Sequence, residues 1–161
     1  MLDKQGVYAL LNEKNISYEA VEHPAVYTIE EMLQQNLPHT QAIAKNLFVR
    51  DDKKRNYYLL VVPEDKAIQL KTFAQKAGTR RLSFASEEDL GEILHVIRGA
   101  VTPFAALNDE EKKVSVYIDE GFRGKIMGVH PNDNTSTVYL TADQMFSLIQ
   151  QHGNPVCYFD I

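Results

Sequence analysis

The stretch "AIAKNLFVRDDKKRNYYLLVVPED", residues 42–65, decides the fold prediction. Two apolar runs, 47–49 and 57–62, flank a charged turn, a pattern that predicts a β-hairpin packed into a core. The second run is apolar on both faces, which is typical of a central strand. Side chains alternate between the faces of a strand, so Lys45 is expected on the same face as Leu47. This alternation places the ammonium of Lys45 at the edge of an otherwise buried surface.

The segment before the hairpin predicts two helices and a strand. Asp3 can cap a helix over 3–15, and a short strand is expected within 17–23. Thr28 is followed three residues later by a glutamate, which matches a capping box. The helix that begins there is expected to run to about Leu37, before a proline.

The segment after the hairpin predicts more helices and irregular β structure. Gly78 suits the left-handed end of one helix, Ser86 can cap a short helix, and Thr141 begins a capping box for the last helix. A strand is expected over 80–85, strands and loops over 99–140, and a closing strand at the end. The mixture indicates an α+β domain around a curved, mixed sheet, because it lacks the regular βαβ alternation of a doubly wound fold.

Composition favours one globular domain, residues 1–161, with 44% hydrophobic and 24% charged residues. The apolar runs are too short to span a membrane, so we expect no membrane association and a cytoplasmic location. A single cysteine, Cys157, excludes an internal disulfide and is interpreted as a buried thiol without a role. The net charge of −5 argues against coating long stretches of nucleic acid, although a local contact stays open.

Several common catalytic signatures are missing from the sequence. It contains no HExxH motif, no GxSxG elbow, no phosphate-binding loop that ends in Gly-Lys-Ser/Thr, and no GxGxxG after a strand. One cysteine cannot build a thiolate zinc site. We therefore expect neither a metal nor another cofactor.

Three polar segments interrupt the apolar structure: "AKN" at 44–46, "GAVTPF" at 99–104 and "GVHPNDN" at 128–134. Each alone can be interpreted as a strand end or a turn. If the fold brings them together, a lysine, a Gly–Pro loop and a histidine loop would suit a small polar pocket.

These segments, in this order, resemble the YbaK-type aminoacyl-tRNA editing superfamily, and most of all its free-standing prolyl-tRNA editing branch. The resemblance covers nearly the whole chain and includes "AKNLFVRD", "YYLLVVPEDK", "RRLSFASEEDL", "GAVTP" and "GVHPNDNTSTVYLT". It implies a single domain with a mixed, barrel-like sheet and surrounding helices. It also implies hydrolysis of the ester that joins alanine to the 3′-terminal adenosine in Ala-tRNA(Pro).

The resemblance assigns roles to four positions. Lys45 matches the family's essential lysine, and Asn46 matches its polar neighbour. Gly99–Pro103 matches a loop that holds the aminoacyl group through its backbone, and His130 matches the histidine of the third motif. An ammonium near the ester carbonyl would stabilise the charge that develops there. Attack by the lysine itself would give a stable amide, so water is the expected nucleophile, helped by the vicinal ribose hydroxyl as in the family.

The role of His130 stays open between proton transfer and shaping of the pocket by hydrogen bonds. Selectivity for alanine would follow from a small pocket, because a synthetase site built for proline cannot strongly reject a smaller amino acid. Candidate residues of this sieve are Ala100, Val101, Thr102 and Val129. Candidate contacts to the tRNA are Lys53, Lys54, Arg55, Arg80 and Arg81.

Two alternative functions stay open at this point. One is a deacylase for Cys-tRNA(Pro) or another small mischarged aminoacyl-tRNA. The other is a non-catalytic module that binds a tRNA acceptor end or a synthetase. The expected partner is the acceptor end of tRNA(Pro), prolyl-tRNA synthetase is a second candidate, and a monomer is the default expectation.

Overall fold

Eight strands and five α-helices make up the computed structural model, which describes all residues from 1 to 161. The strands are β1 (Glu19–Glu22), β2 (Ala44–Asp51), β3 (Tyr57–Pro63), β4 (Leu82–Phe84), β5 (Val114–Asp119), β6 (Ile126–Val129), β7 (Ser136–Thr141) and β8 (Val156–Phe159). The helices are α1 (Lys4–Glu13), α2 (Ile29–Leu33), α3 (Leu70–Ala77), α4 (Glu87–Asp89) and α5 (Ala142–His152). None of these helices has both the length and the apolar character needed to cross a bilayer.

The predicted hairpin forms the middle of a five-stranded mixed sheet with the order β4-β2-β3-β5-β8. β2 pairs antiparallel with β3 and with β4, whereas β3–β5 and β5–β8 are parallel pairs. Residues of β3 are buried on both faces, as the apolar run at 57–62 predicted. The α+β class and the mixed sheet are therefore confirmed.

A second, three-stranded antiparallel sheet has the order β1-β7-β6. It meets the first sheet where Ile43, just before β2, forms a parallel bridge with Gly128 of β6. The strand pairing does not close into a barrel. Gly128 suits this junction because a Cβ there would lie only 2.7 Å from the Tyr139 ring and 3.1 Å from Ile43 Cδ1.

Two apolar clusters cover opposite faces of the five-stranded sheet. The larger contains Phe48 of β2 and residues of α1 and α5, and the smaller contains Val49 together with Phe73 of α3. Lys45 pairs in register with Val62, which belongs to the smaller cluster, so the lysine does share a face with Leu47. Its neighbour Asn46 therefore faces the other side of the sheet.

Capping chemistry predicted most helix starts and missed two local features. Asp3, Ser86 and Thr141 cap their helices through side-chain hydrogen bonds. α2 ends at Leu33, four residues before the predicted end, because the five-residue helix runs into a turn. The segment Pro103–Asn108 is a 3-10 helix, whereas strands and loops were expected there.

Candidate functional site

A cavity of about 210 Å³ lies where the first residues of β2, the last residues of β6, the loop at 99–101 and the segment 26–32 meet. It thus joins all three polar segments that the sequence singled out. Its lining consists of Val26, Tyr27, Thr28, Ile29, Met32, Ile43, Ala44, Lys45, Asn46, Gly99, Val101, Gly128, Val129 and His130.

Lys45 lies half-buried at the beginning of β2 and is one of the residues that line the cavity. Its Nζ donates a 2.7 Å hydrogen bond to the main-chain carbonyl of Lys66, in the loop after β3. The Lys66 side chain is held in turn by the buried carboxylate of Asp119, at 2.7 Å. A single neutral acceptor leaves most of the positive charge of Lys45 uncompensated, so the ammonium can act on an anionic or polarised ligand.

Asn46 connects β2 to the loop at 99–101. Its Nδ2 donates to the Val101 carbonyl at 3.2 Å, whereas its Oδ1 is buried without a partner. An unsatisfied buried amide oxygen destabilises a fold by about 1–3 kcal/mol. The protein therefore gives up stability beside the cavity, as functional sites commonly do.

The loop at 99–101 contributes Gly99 and Val101 to the cavity wall. Gly99 has a φ of +88°, and a Cβ at this position would lie 2.9 Å from Tyr27 Cα. Glycine is required there because both the positive φ and the close backbone approach exclude a side chain. The N–H groups of Gly99 and Val101 have no partner within the protein, so they remain available to a ligand.

Thr102 ties the second polar segment to the third. Its buried hydroxyl donates a 2.6 Å hydrogen bond to the His130 carbonyl. Thr102, Ala100 and Pro103 are themselves buried and do not line the cavity. Of the four predicted sieve residues, the structure thus places Val101 and Val129 on the wall, with the other two behind it.

One ring nitrogen of His130 makes a hydrogen bond within the protein, and the other makes none. Its Nδ1 lies 2.9 Å from the Ser136 carbonyl, an acceptor that requires the proton on Nδ1. Burial lowers the pKa of His130, and nearby His23 lowers it further, although the hydrogen bond that Nδ1 donates to the Ser136 carbonyl raises it. A neutral imidazole in this tautomer leaves Nε2 unprotonated, and Nε2 makes no hydrogen bond within the protein.

Sequence reasoning missed the cavity wall at 26–32. Ile29 and Met32 lie on α2, and Tyr27 precedes its capping residue Thr28. The Glu31 carboxylate accepts from the Tyr27 N–H at 2.8 Å, so it does not close the predicted capping box onto Thr28. The amphipathic helix was visible in the sequence, but nothing local indicates which element its face meets.

The predicted tRNA contacts lie away from the cavity. Lys53, Lys54 and Arg55 occupy the β2–β3 turn, at the opposite end of β2 from Lys45. Arg80 is beside them, because its guanidinium binds the Asp52 carboxylate in a two-point contact of 2.6 and 3.0 Å. None of these side chains, nor Arg81, lines the cavity.

The side chains around the site offer no recognisable metal centre. No group of three or more His, Cys, Asp or Glu residues is arranged to hold a metal ion. The chemistry available to the cavity is therefore that of an ammonium, main-chain N–H donors and a neutral imidazole.

Comparison with known proteins gives a family match that includes every residue of the cavity wall. The model of the aminoacyl-tRNA editing domain matches residues 23–148. The prolyl-tRNA editing protein ProX of Acetoanaerobium sticklandii is 45% identical over 152 residues, which cover 94% of this chain and 93% of that protein. The prolyl-tRNA synthetase associated domain-containing protein 1 of Danio rerio is 33% identical over 155 residues, which cover 93% and 84%.

A solved structure shares the fold. The crystal structure of a candidate trans-editing enzyme for prolyl tRNA synthetase superposes with a TM-score of 0.71, at 20% identity, over 96% of this chain and 94% of that one. This similarity extends over both sheets and the elements that enclose the cavity.

Proposed function

Because the chain belongs to the aminoacyl-tRNA editing domain family, we propose that it is a free-standing deacylase that hydrolyses the ester of mischarged tRNA(Pro). The amino acid that we assign is alanine, so the substrate is Ala-tRNA(Pro). The observation that carries the proposal is the meeting of Lys45, the 99–101 loop and His130 around one small cavity.

The cavity supports ester hydrolysis through charge stabilisation. Negative charge builds on the carbonyl oxygen as the ester is attacked, and donors fixed near that oxygen lower the barrier. The free N–H groups of Gly99 and Val101 can supply such donors. We assign Lys45 to anchoring and polarising the aminoacyl-adenosine end, because its ammonium is oriented by the Lys66 carbonyl and by no carboxylate.

Water is the nucleophile in this proposal. An amine that attacked the ester would form a stable amide and would stop turnover, so Lys45 does not act in that way. No carboxylate lines the cavity. The vicinal ribose hydroxyl of the substrate therefore helps to activate the water, and His130 contributes an acceptor at Nε2.

The walls support selection for a small amino acid. Ile29, Met32 and Val129 close the cavity with apolar side chains. A difference of one or two methylenes is worth only about 1–3 kcal/mol in a site that must accept the larger ligand, but a small cavity excludes that ligand by steric overlap. We expect these walls to admit alanine and to exclude proline. Cysteine, the alternative substrate considered above, is slightly larger than alanine and is included in the test.

The partner in this proposal is the acceptor end of tRNA(Pro). The proposed location is the cytoplasm, where aminoacyl-tRNAs are used. We expect the basic residues near the β2–β3 turn to contact the tRNA beyond its 3′ end. We further expect the protein to act as a monomer. Association with prolyl-tRNA synthetase is a separate hypothesis that pull-down from the purified components can test.

The deciding experiment is a deacylation assay with labelled Ala-tRNA(Pro), Cys-tRNA(Pro) and Pro-tRNA(Pro). We expect alanine to be released much faster than proline. Faster release of cysteine than of alanine would move the substrate assignment to Cys-tRNA(Pro). Binding of all three without release would indicate the non-catalytic module instead.

A further inference from the structure

Tyr27 is an aromatic residue at the rim of the cavity without a structural role of its own. Tyr27 lines the cavity, yet 54% of the residue is exposed. It belongs to none of the apolar clusters or aromatic pairs, and its hydroxyl makes no hydrogen bond. An exposed ring beside a cavity is a candidate contact for the part of a ligand that extends outside.

The backbone that carries this ring is held from three sides. The Tyr27 N–H donates to the Glu31 carboxylate at 2.8 Å. The preceding residue, Val26, donates its N–H to the Asn134 carbonyl at 3.2 Å and accepts from Asn134 Nδ2 at 2.7 Å. Gly99 packs directly against Tyr27 Cα. The ring is thus presented from a fixed position, which reduces the entropy lost on binding.

We propose that Tyr27 forms the subsite for the terminal adenine and stacks on its face, an inference that rests on the proposed function. If the aminoacyl ester occupies the cavity, the ribose that carries the ester sits at its mouth. The base attached to that ribose then lies on the rim, beside Tyr27. Stacking on an aromatic side chain is the usual means of holding a single-stranded base.

The charge of the protein makes a neutral contact of this kind valuable. The chain has a formal net charge of −5, and the basic cluster at the β2–β3 turn lies away from the cavity. Phosphate contacts at the rim therefore contribute less than in a basic nucleic-acid-binding protein. A stacked base supplies affinity that does not depend on charge.

The first test compares two alanine esters, alanyl-adenosine and the alanine ester of methyl ribofuranoside, which keeps the ribose and its vicinal hydroxyl but lacks the base. With Tyr27→Ala, we expect the KM for alanyl-adenosine to rise about tenfold, with kcat changed less than about threefold. Tyr27→Phe should keep the KM, since stacking needs the ring alone. The ester without the base should be hydrolysed equally by all three proteins. An equal loss with both esters, or no loss with alanyl-adenosine, would overturn the proposal.

The second test does not depend on catalysis. An uncharged tRNA(Pro) acceptor minihelix that ends in 2-aminopurine loses fluorescence when its last base stacks. We expect quenching by the wild type and by Tyr27→Phe, and its loss in Tyr27→Ala. Phe84→Ala is the matched control, because Phe84 is 61% exposed on β4 and does not line the cavity.

The two tests separate the subsite from the proposed function. If the protein hydrolyses no alanyl ester but quenching is lost in Tyr27→Ala, the result would support the subsite and refute the deacylase. Hydrolysis of alanyl-adenosine with quenching that is unchanged in Tyr27→Ala would refute the subsite and leave the deacylase in place.

Discussion

The two ends of strand β2 both carry basic residues, but in different physical settings. At the first end, Lys45 is half-buried, lines the cavity and bonds only to the Lys66 carbonyl. At the other end, about 20 Å along the strand, Lys53 and its neighbours occupy an exposed turn. Arg80 there is neutralised by Asp52.

The difference shows how to separate a functional charge from a solvated one. An ammonium that lines a cavity and has no carboxylate partner keeps its charge available to a ligand. An exposed Arg–Asp pair contributes little to stability and needs no ligand to explain it. Substitutions at the cavity end should therefore change catalysis strongly, and substitutions at the turn should not.

The largest expected effect is that of Lys45→Ala. Removing a group that stabilises charge in the transition state lowers rates by about 10²–10³-fold, and we expect a loss of at least that size in kcat/KM for Ala-tRNA(Pro). The fold should persist, because the substitution removes a charge from a cavity edge and leaves the core packed.

Lys54→Ala, in the β2–β3 turn, is the matched control for this prediction. It should retain activity on alanyl-adenosine within about twofold, since an exposed charge so far from the cavity is screened. Circular dichroism would verify that both variants are folded. Full activity of Lys45→Ala would remove the distinction between the two ends of the strand.

The next largest effect is expected for Gly99→Ala. The new Cβ would meet the Tyr27 backbone at 2.9 Å, and the φ of +88° is unfavourable for alanine. Backbone strain of this kind amounts to about 1–3 kcal/mol, and we expect both a lower melting temperature and a fall of about tenfold in kcat/KM.

Gly124→Ala tests the effect of backbone strain without a steric clash. Gly124 also has a positive φ, +76°, but a Cβ there would have open space. We expect that variant to lose stability and to keep its kcat/KM. Equal kinetic losses in the two variants would mean that the close approach at Gly99 has no catalytic importance.

A smaller effect is expected from acidification, through His130. Its pKa is lowered by burial, and an unfolded histidine titrates near 6.5. Between the two pKa values the unfolded chain therefore binds more protons than the folded protein. The contribution of His130 to the free energy of unfolding is complete above pH about 6.5 and decreases as the pH falls below it. Urea unfolding of the wild type and of His130→Gln from pH 7.5 to 5 would measure this, and the variant should show a weaker dependence.

The smallest effect is expected at the turn. Arg80→Ala should leave the melting temperature and the hydrolysis of alanyl-adenosine nearly unchanged, because the ion pair with Asp52 is fully solvated. With Ala-tRNA(Pro), the same variant should raise KM a few-fold at low salt and not at high salt, if the turn contacts the tRNA. A loss that is independent of salt would contradict a phosphate contact.

Local signals predicted much of the fold. The β2–β3 hairpin, the caps at Asp3 and Thr141, and the left-handed end at Gly78 all depend on residues within a few positions of one another. Such contacts are encoded in spacing and residue type, which is why the sequence was sufficient for them. The end of α2 was predicted from Pro38 alone, whereas the helix already ends at Leu33 and Asn36 beyond it adopts a left-handed φ of +55°.

By itself, the sequence determined that this is an α+β domain with a lysine, Lys45, at the edge of a buried strand face. Its resemblance to a family indicated the substrate. The tertiary structure alone decided that Asn46 meets Val101, that Thr102 meets His130, and that the segment 26–32 closes the cavity. These contacts join residues that are 55 and 28 positions apart in the first two cases. Pairings over such distances depend on how whole elements pack, and a single sequence does not encode them in any local pattern.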